Sequence, residues 1–142
     1  MTTEVTVTSA GHSAFAVEIA AGAHHLTADE AKDLGGDDTG PPPHDFLLAG
    51  LGACTVMTLK LYAARKKWPL EQVAVRLTRR KVKAADCPDC VTKDGDVEEM
   101  TREITLTGPL DAEARARLLD IASKCPVHRT LTGEIKIRTA LV

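Results

Sequence analysis

Hydrophobic and polar residues alternate near the start of the chain, which predicts strands. Val5–Thr8 and Ala14–Ile19 both follow a period of two, and Gly11 lies between them, so the pattern predicts a hairpin. The chain from Thr27 to Pro43 is instead acidic and rich in Gly and Pro, a composition typical of an exposed connection.

A long apolar stretch follows from Pro43 to Ala64, with no charged residue between Asp45 and Lys60. Proline at a first helical position, an acid in the first turn and a stop at Trp68-Pro69 predict one long helix. Its uncharged run is shorter than the roughly 20 apolar residues of a membrane span. Phe46, Ala53 and Met57 make a second face of the helix apolar, so we expect a helix buried on most sides in a soluble core. One stripe of this helix is formed by Leu47, Leu51, Cys54, Thr58 and Leu61.

The second half of the chain alternates again. Strands are predicted at Val73–Lys83, Met100–Thr107 and Glu134–Arg138, and the helix Ala112–Lys124 is predicted behind an N-cap at Asp111. The basic residues that end the first of these strands are interpreted as a solvated strand face. The order of elements predicts an α+β fold in one domain of residues 1–142, with antiparallel sheets around the long central helix.

Composition excludes several classes of function. The 142 residues include 18 Lys and Arg, 20 Asp and Glu, one Trp, one Tyr and two Phe, with a net charge of −2. Neither nucleic acid nor a membrane surface is therefore expected as a partner. The N-terminal residues lack the pattern of a signal peptide, which favours a cytoplasmic protein whose four cysteines are thiols rather than structural disulfides.

Cys125 lies where one helix ends and another can begin, because Pro126 disrupts the first helix and is well suited to open the second. An N-cap there would stabilise the thiolate, the reactive form of cysteine, through exposed N–H groups and the helix dipole. The alternative is a buried free cysteine that completes the apolar face of Ala114, Leu118 and Ile121. Cys125 on its own leaves both interpretations open.

Two segments of the chain resemble a known superfamily. Pro43–Thr55, which contains Cys54, and Tyr62–Arg65 beyond it resemble the first cysteine segment of the OsmC/organic hydroperoxide resistance superfamily. Ile121–Leu131 resembles the second cysteine segment, and the similarity extends from about Ala28 to the C-terminus.

This resemblance implies an intertwined homodimer that reduces organic hydroperoxides at the subunit interface, with two thiols and no cofactor or metal. Cys54 matches the peroxidatic position and Cys125 the resolving position. The peroxide would convert Cys54 to a sulfenic acid, Cys125 would condense with it to a disulfide, and a lipoyl-type dithiol would reduce that disulfide.

The chain departs from the strongly active members of the superfamily, which carry an arginine on the loop before the long helix and a glutamate at the helix start. No arginine precedes Arg65, and Asp45 and His44 lie near the glutamate's position. His44, His128 and His25 are therefore candidate partners of the thiolate, because an imidazole can pair with one. A lone histidine is more often a surface or hydrogen-bonded residue, and Asp45 has the alternative of a favourable first-turn charge.

Cys87 and Cys90 form a separate Cys-Pro-Asp-Cys motif in a predicted hairpin loop. One such pair supplies two of the four ligands of a tetrahedral zinc site. We therefore interpret it as a secondary, solvent-exposed thiol pair, with metal binding as the less favoured alternative.

The combined prediction is a cytoplasmic OsmC-like thiol peroxidase, with Cys54, Cys125 and Asp45 as catalytic residues and a small organic hydroperoxide and a dithiol as partners. One alternative is a related protein that binds a small molecule or senses redox state without peroxidase activity. The other is a metal-binding protein built on Cys87 and Cys90.

Overall fold

The computed structural model describes residues 2–142, which divide into two compact units, one ending at Leu47 and the other running from Leu48 to Val142. The first unit contains a three-stranded antiparallel sheet of β1 (Thr6–Ser9), β2 (Val17–Ala21) and β3 (His24–Ala28), in that order. The alternation predicts the first two strands and misses β3, because the exposed His-His-Leu-Thr sequence of β3 has no apolar face.

The connection after β3 is organised by the buried carboxylate of Asp29. It accepts the backbone N–H groups of Glu30, Asp37 and Thr39 at 2.8, 3.2 and 3.1 Å, and the Thr39 hydroxyl at 2.8 Å. The Thr39 hydroxyl is the main cause that lowers the pKa of Asp29, with the backbone N–H groups adding to it against the opposing effect of burial. This acidic segment is therefore an ordered loop.

The long helix α1 (Pro43–Lys66) ends in a Schellman motif, two residues beyond the predicted end at Ala64. Lys67 adopts a left-handed conformation with φ of 57° and donates its N–H to the Ala64 carbonyl at 3.1 Å. The next N–H, of Trp68, donates to the Ala63 carbonyl at 2.9 Å. An acid in the first turn and basic residues in the last turn complement the helix dipole.

Only one face of α1 is buried, which corrects the prediction of a helix buried on most sides. The buried face has one residue per turn: Leu51, Thr55, Leu59 and Ala63. A second stripe, offset by two residues and hence on the opposite side, is exposed: Ala53, Met57 and Leu61. The packing of one chain thus leaves half of an apolar helix uncovered.

By length and composition α1 could also cross a membrane, since its most apolar window has a mean hydropathy of 1.6. The core helix of a soluble protein has the same properties. The contacts of Leu59 and Ala63 with the hydrophobic core described next support that second interpretation.

The second unit packs two helices and the end of α1 against a long hairpin. The hairpin consists of β4 (Gln72–Lys83) and β5 (Asp96–Thr107), paired antiparallel over their full length. The helix α2 (Ala112–Ala122) has the predicted N-cap at Asp111, whose side chain accepts the N–H of Ala114 at 2.7 Å. The buried core contains Leu59, Ala63, Leu118, Ile121 and Ala122.

The basic residues that end β4 are mostly solvent-exposed, as interpreted from the sequence, except that Arg79 is half-buried. Its charges are paired across the hairpin at 2.7 Å each: Arg79 with Glu98, Arg80 with Glu99, and Lys83 with Asp96. Arg80 and Lys83 are directly opposite their partners, and Arg79 is diagonal to its own. Opposite charges on neighbouring strands stabilise a sheet locally, which explains the run without a binding role.

The predicted strand at residues 134–138 is wrong for the isolated chain. This segment pairs with no strand in the described residues 2–142, and Ile135 and Ile137 are 53% and 87% exposed. A strand needs a neighbouring strand for its backbone N–H and C=O groups, so an alternating sequence without such a neighbour has no ladder to join.

Leu118→Ala is expected to lower the free energy of unfolding by about 2–5 kcal/mol, because the removed side chain leaves a cavity in the core. Leu118 is fully buried, whereas its neighbour Leu119 is 67% exposed. Leu119→Ala is therefore the matched control, with an expected loss below about 1 kcal/mol. Urea unfolding followed by circular dichroism measures both values, and equal losses would contradict this core.

Candidate active site

Cys125 occupies the N-cap of the short helix α3 (Pro126–Thr132), as the Cys-Pro sequence predicts. Its φ and ψ of −69° and 143° are non-helical, and Pro126 opens the helix. The Cys125 Sγ accepts the backbone N–H of His128 at 3.2 Å. The side chain is also fully buried, so the N-cap and the buried-cysteine interpretations both hold.

Cys54 approaches Cys125 from α1. Both residues are free thiols; Cys54 is half-buried, and its side chain lies close enough to Cys125 to lower the pKa of that thiol. Two cysteines that are distant in the sequence are therefore adjacent in the second unit, with Cys54 the more accessible of the two.

Arg102 of β5 supplies a positive charge beside this pair. Its Nη1 donates to the Thr55 Oγ1 at 3.0 Å, and its Nη2 lies 3.1 Å from the His128 Nδ1. The fully buried Thr55 hydroxyl donates in turn to the Leu51 carbonyl at 2.7 Å. Because arginine can only donate, the His128 Nδ1 must accept, which places the proton of the neutral ring on Nε2.

Sequence reasoning missed Arg102, although the strand pattern contains a signal for it. Met100, Ile104 and Leu106 are the apolar positions of β5, and Arg102 lies in the same alternating set, on the inward face of the strand. It is also directly opposite Leu77 of β4 in the hairpin register. A charged residue at an otherwise apolar strand position requires a buried partner, and Thr55 is that partner.

The surroundings of Cys125 favour its thiolate. Burial raises the pKa of Cys125, but the His128 N–H, the side chains of Cys54 and Thr55, and the charge of Arg102 lower it by more. The resulting pKa is below the ordinary value of 9.0. A larger fraction of Cys125 is therefore available as a nucleophile near neutral pH than for an ordinary thiol.

The stability of the fold is expected to depend on His128. Burial lowers the pKa of His128 below 6.5, and the charge of Arg102 lowers it further. The unfolded chain therefore binds a proton more readily than the folded one, so the free energy of unfolding should fall as the pH decreases from about 6.5 towards the folded-state pKa. Denaturant unfolding at a series of pH values should show this loss reduced in His128→Gln. His12→Gln changes an exposed histidine and is the control, so its free energy of unfolding should fall with pH as in the wild type. Equal pH dependence in the two variants would contradict the role of His128.

The other candidate residues lie in the first unit, whereas the network around Arg102 lies wholly in the second. His25 is on β3, and His44 and Asp45 are in the first turn of α1; all three are exposed. Asp45 has the favourable position of an acid near a helix N-terminus. Its catalytic role, and the roles of His25 and His44 as thiolate partners, stay predictions.

Cys87 and Cys90 form a disulfide, which corrects the prediction of an exposed pair of thiols. Both residues are half-buried in the loop between β4 and β5. The Cys90 N–H donates to the Cys87 carbonyl at 3.1 Å, and this turn brings the two Cα atoms to 5.4 Å, within the range that a disulfide spans. The prediction of thiols came from the expected cytoplasmic location of the protein, which says nothing of how close a short turn brings two cysteines.

A cavity of about 490 Å³ lies against the Arg102 network. Its apolar walls come from Leu51, Met100, Ile104 and other aliphatic residues, and Arg102 and His128 are among its polar groups. This volume and this combination of an apolar surface with a few polar groups are typical of small-molecule sites.

The comparison with protein families decides the classification. The family model described as "OsmC-like protein" matches residues 35–140. The chain belongs to this family. Among curated proteins, none matches the chain significantly.

Solved structures of OsmC-like proteins have the same fold. The OsmC-like protein of Mycoplasma pneumoniae is 23% identical, with a TM-score of 0.71 and coverage of 94% of this chain and 89% of that one. The organic hydroperoxide resistance protein OhrB of Bacillus subtilis is 21% identical, with a TM-score of 0.62 and coverage of 94% and 92%. An organic hydroperoxide resistance protein from Elizabethkingia anophelis is also 21% identical, with a TM-score of 0.67 and coverage of 96% and 91%. These similarities establish the α+β fold with antiparallel sheets and a long central helix.

Proposed function

We propose that this OsmC-like protein is a thiol-dependent peroxidase that reduces organic hydroperoxides to alcohols. The observation that carries the proposal is the position of Arg102, whose guanidinium is bonded to Thr55 and His128 beside two adjacent free thiols. A fixed positive charge stabilises a thiolate and the negative charge that develops on a leaving oxygen. Arg102 thus takes the role of the loop arginine that the chain lacks.

Cys54 is the nucleophile, because it is the more exposed of the two thiols. Its thiolate attacks the terminal oxygen of the hydroperoxide; an S–O bond forms, the O–O bond breaks, and the alkoxide leaves and is protonated to the alcohol. Cys54 is then a sulfenic acid, oxidised by two electrons.

Cys125 is the resolving residue. Its thiolate attacks the Cys54 sulfur, an S–S bond forms, and the hydroxyl group leaves as water after taking a proton. The lowered pKa of Cys125 supports this role, because the attacking species is the thiolate. A dithiol of the lipoyl class then supplies two electrons and two protons and becomes a disulfide itself.

A homodimer is the second part of the proposal. Two apolar features of the chain are uncovered: the stripe of α1 that contains Ala53, Met57 and Leu61, and the alternating segment at residues 134–138. A second copy of the chain would cover the first and could provide a neighbouring strand for the second. The family resemblance implies the same assembly.

The test is consumption of cumene hydroperoxide with dihydrolipoamide as the reductant. The wild type should turn over, and Cys54→Ser should abolish turnover because no sulfur remains to take the oxygen. Cys125→Ser should stop after one equivalent, with a Cys54 sulfenic acid that dimedone labels. A variant with both Cys87 and Cys90 changed to Ser is the control and should keep its activity. A wild type that consumes no hydroperoxide would refute the proposal.

The second candidate is a small-molecule binding protein, and the cavity of about 490 Å³ favours it, since neither cysteine is among its lining residues. Its apolar walls suit a hydrocarbon chain, and Arg102 suits a carboxylate. Calorimetric titration with decanoate distinguishes this function from catalysis. Binding that Arg102→Gln weakens and Cys54→Ser does not change, in a protein without turnover, would support the second candidate.

A further inference from the structure

The Cys87–Cys90 loop has a ligand set that the peroxidase reaction does not use. The sulfurs of Cys87 and Cys90 and a carboxylate oxygen of Asp89 all lie within 4.8 Å of one another. We propose that this loop, once its disulfide is reduced, binds one thiophilic divalent metal ion through the two thiolates and Asp89, and that the disulfide abolishes the site.

Asp89 lies beside one of the two sulfurs. Its Oδ1 lies 3.3 Å from the Cys87 Sγ. In the disulfide neither sulfur carries a proton, so this contact is not a hydrogen bond. In the doubly deprotonated loop the carboxylate would face two thiolates, and a cation shared among the three groups removes that repulsion.

The turn that contains Cys87 and Cys90 has a geometry that suits two metal ligands. Cys-x-x-Cys is the usual spacing of two zinc ligands on one turn, and Zn–S bonds of about 2.3 Å place two sulfurs about 3.8 Å apart in a tetrahedral site. The Cα atoms, 5.4 Å apart, and the hydrogen bond from the Cys90 N–H to the Cys87 carbonyl are compatible with that separation. Rotation of the two side chains is therefore sufficient, and the turn itself is kept.

The loop is acidic and borders a cavity. From residue 84 to residue 95 the loop contains three aspartates and one lysine. Among the described residues, Asp86, Asp89 and Asp94 have no ion-pair partner, so the loop carries uncompensated negative charge. A cavity of about 430 Å³ borders Cys87 and Asp89 and gives the ion access. Basic residues also line it, of which Arg80 and Lys83 are paired with Glu99 and Asp96.

The redox step balances with a dithiol or phosphine reductant. The reductant supplies two electrons and is oxidised, the S–S bond breaks, and Cys87 and Cys90 take up two protons. Metal binding then releases both protons, because the ligands are thiolates. Three protein ligands leave one tetrahedral position for water or another ligand, as in zinc sites that are not purely structural.

The test uses Co²⁺ as the probe, in a variant with Cys54 and Cys125 changed to Ser so that only Cys87 and Cys90 remain. After reduction and removal of the reductant, one Co²⁺ per chain should bind with thiolate-to-cobalt charge-transfer absorption. The oxidised protein, and the reduced protein with Cys87→Ser or Cys90→Ser added, should lack that absorption. Competition with Zn²⁺ should remove it.

Asp89→Asn separates a true ligand from a nearby charge. It should weaken Co²⁺ binding by more than about tenfold. Loss of a group that only orients a metal ligand already has an effect of about that size, and loss of a ligand should have a larger one. Asp94→Asn, on the same loop, is the matched control and should change binding much less. The proposal is overturned if the reduced protein shows no thiolate–cobalt absorption, or if Asp89→Asn and Asp94→Asn have equal effects. Neither result depends on peroxidase activity.

Discussion

Arg102→Gln is expected to lower hydroperoxide turnover by about 10²–10³-fold, the usual effect of losing one preorganised donor at a site of developing charge. Glutamine keeps an amide that can bond the Thr55 hydroxyl, but it removes the charge. That charge is one cause of the lowered pKa of Cys125. Both the attack on the peroxide and the resolving step should therefore slow.

The readout that separates a charge effect from general disruption is the thiolate titration of Cys125. In a Cys54→Ser background Cys125 is the remaining free thiol, because Cys87 and Cys90 are in a disulfide. Its thiolate absorbance gives the midpoint of the titration, and Arg102→Gln should raise that midpoint because the charge of Arg102 lowers the Cys125 pKa.

The matched control is Arg76→Gln. Arg76 is on the outer face of the same hairpin, where it pairs with Glu103 at 3.1 Å, and both side chains are largely exposed. An exposed ion pair of this kind contributes little to stability, so turnover and the Cys125 midpoint should stay unchanged. An Arg102→Gln variant that behaves like Arg76→Gln would show that Arg102 does not activate the thiols.

Local features of the sequence predict local parts of the structure well. The N-caps at Asp111 and Cys125 and the start of α1 depend on a few neighbouring residues, and each is found where its motif predicts it. The two cysteine segments likewise carry enough local identity to indicate the family, which the match over residues 35–140 establishes.

The network around Arg102 could not be predicted in the same way. Its three side chains come from α1, β5 and α3, and only the packing of the second unit brings Thr55, Arg102 and His128 together. Arg102 is on β5, far in the sequence from the loop before α1. His128 is close to Cys125 because the two residues are three positions apart in the sequence. Its contact with Arg102 depends on the packing of α3 against β5, which no spacing in the sequence indicates.

The absent strand at residues 134–138 has a related cause. Its alternation is a property of the sequence, but a strand exists only where a partner strand is present, and none lies beside it among residues 2–142. The exposed stripe of α1 also lacks a partner within the chain, and an apolar surface of this length is unusual for a soluble protein.

A combined Met57→Lys and Leu61→Lys variant is expected to be a monomer, whereas the wild type should sediment as a dimer of 15.2 kDa chains. Met57 and Leu61 are 68% and 54% exposed, and Met57 lines an apolar groove between α1 and β4 together with Val75 and Leu77. Lysine keeps the helix but carries a charge that must be desolvated if a second copy covers this face, which opposes association.

Val91→Lys is the control for this variant, because Val91 is 95% exposed on the Cys87–Cys90 loop and lies outside the apolar stripe of α1. It should remain dimeric in analytical ultracentrifugation at the same concentrations. Circular dichroism of the double lysine variant should show an intact helix content, so that a monomeric mass reports a lost interface rather than unfolding. If the wild type itself sediments as a monomer at all concentrations, the second copy does not cover α1; if the double variant stays dimeric, the dimer uses another face of the chain.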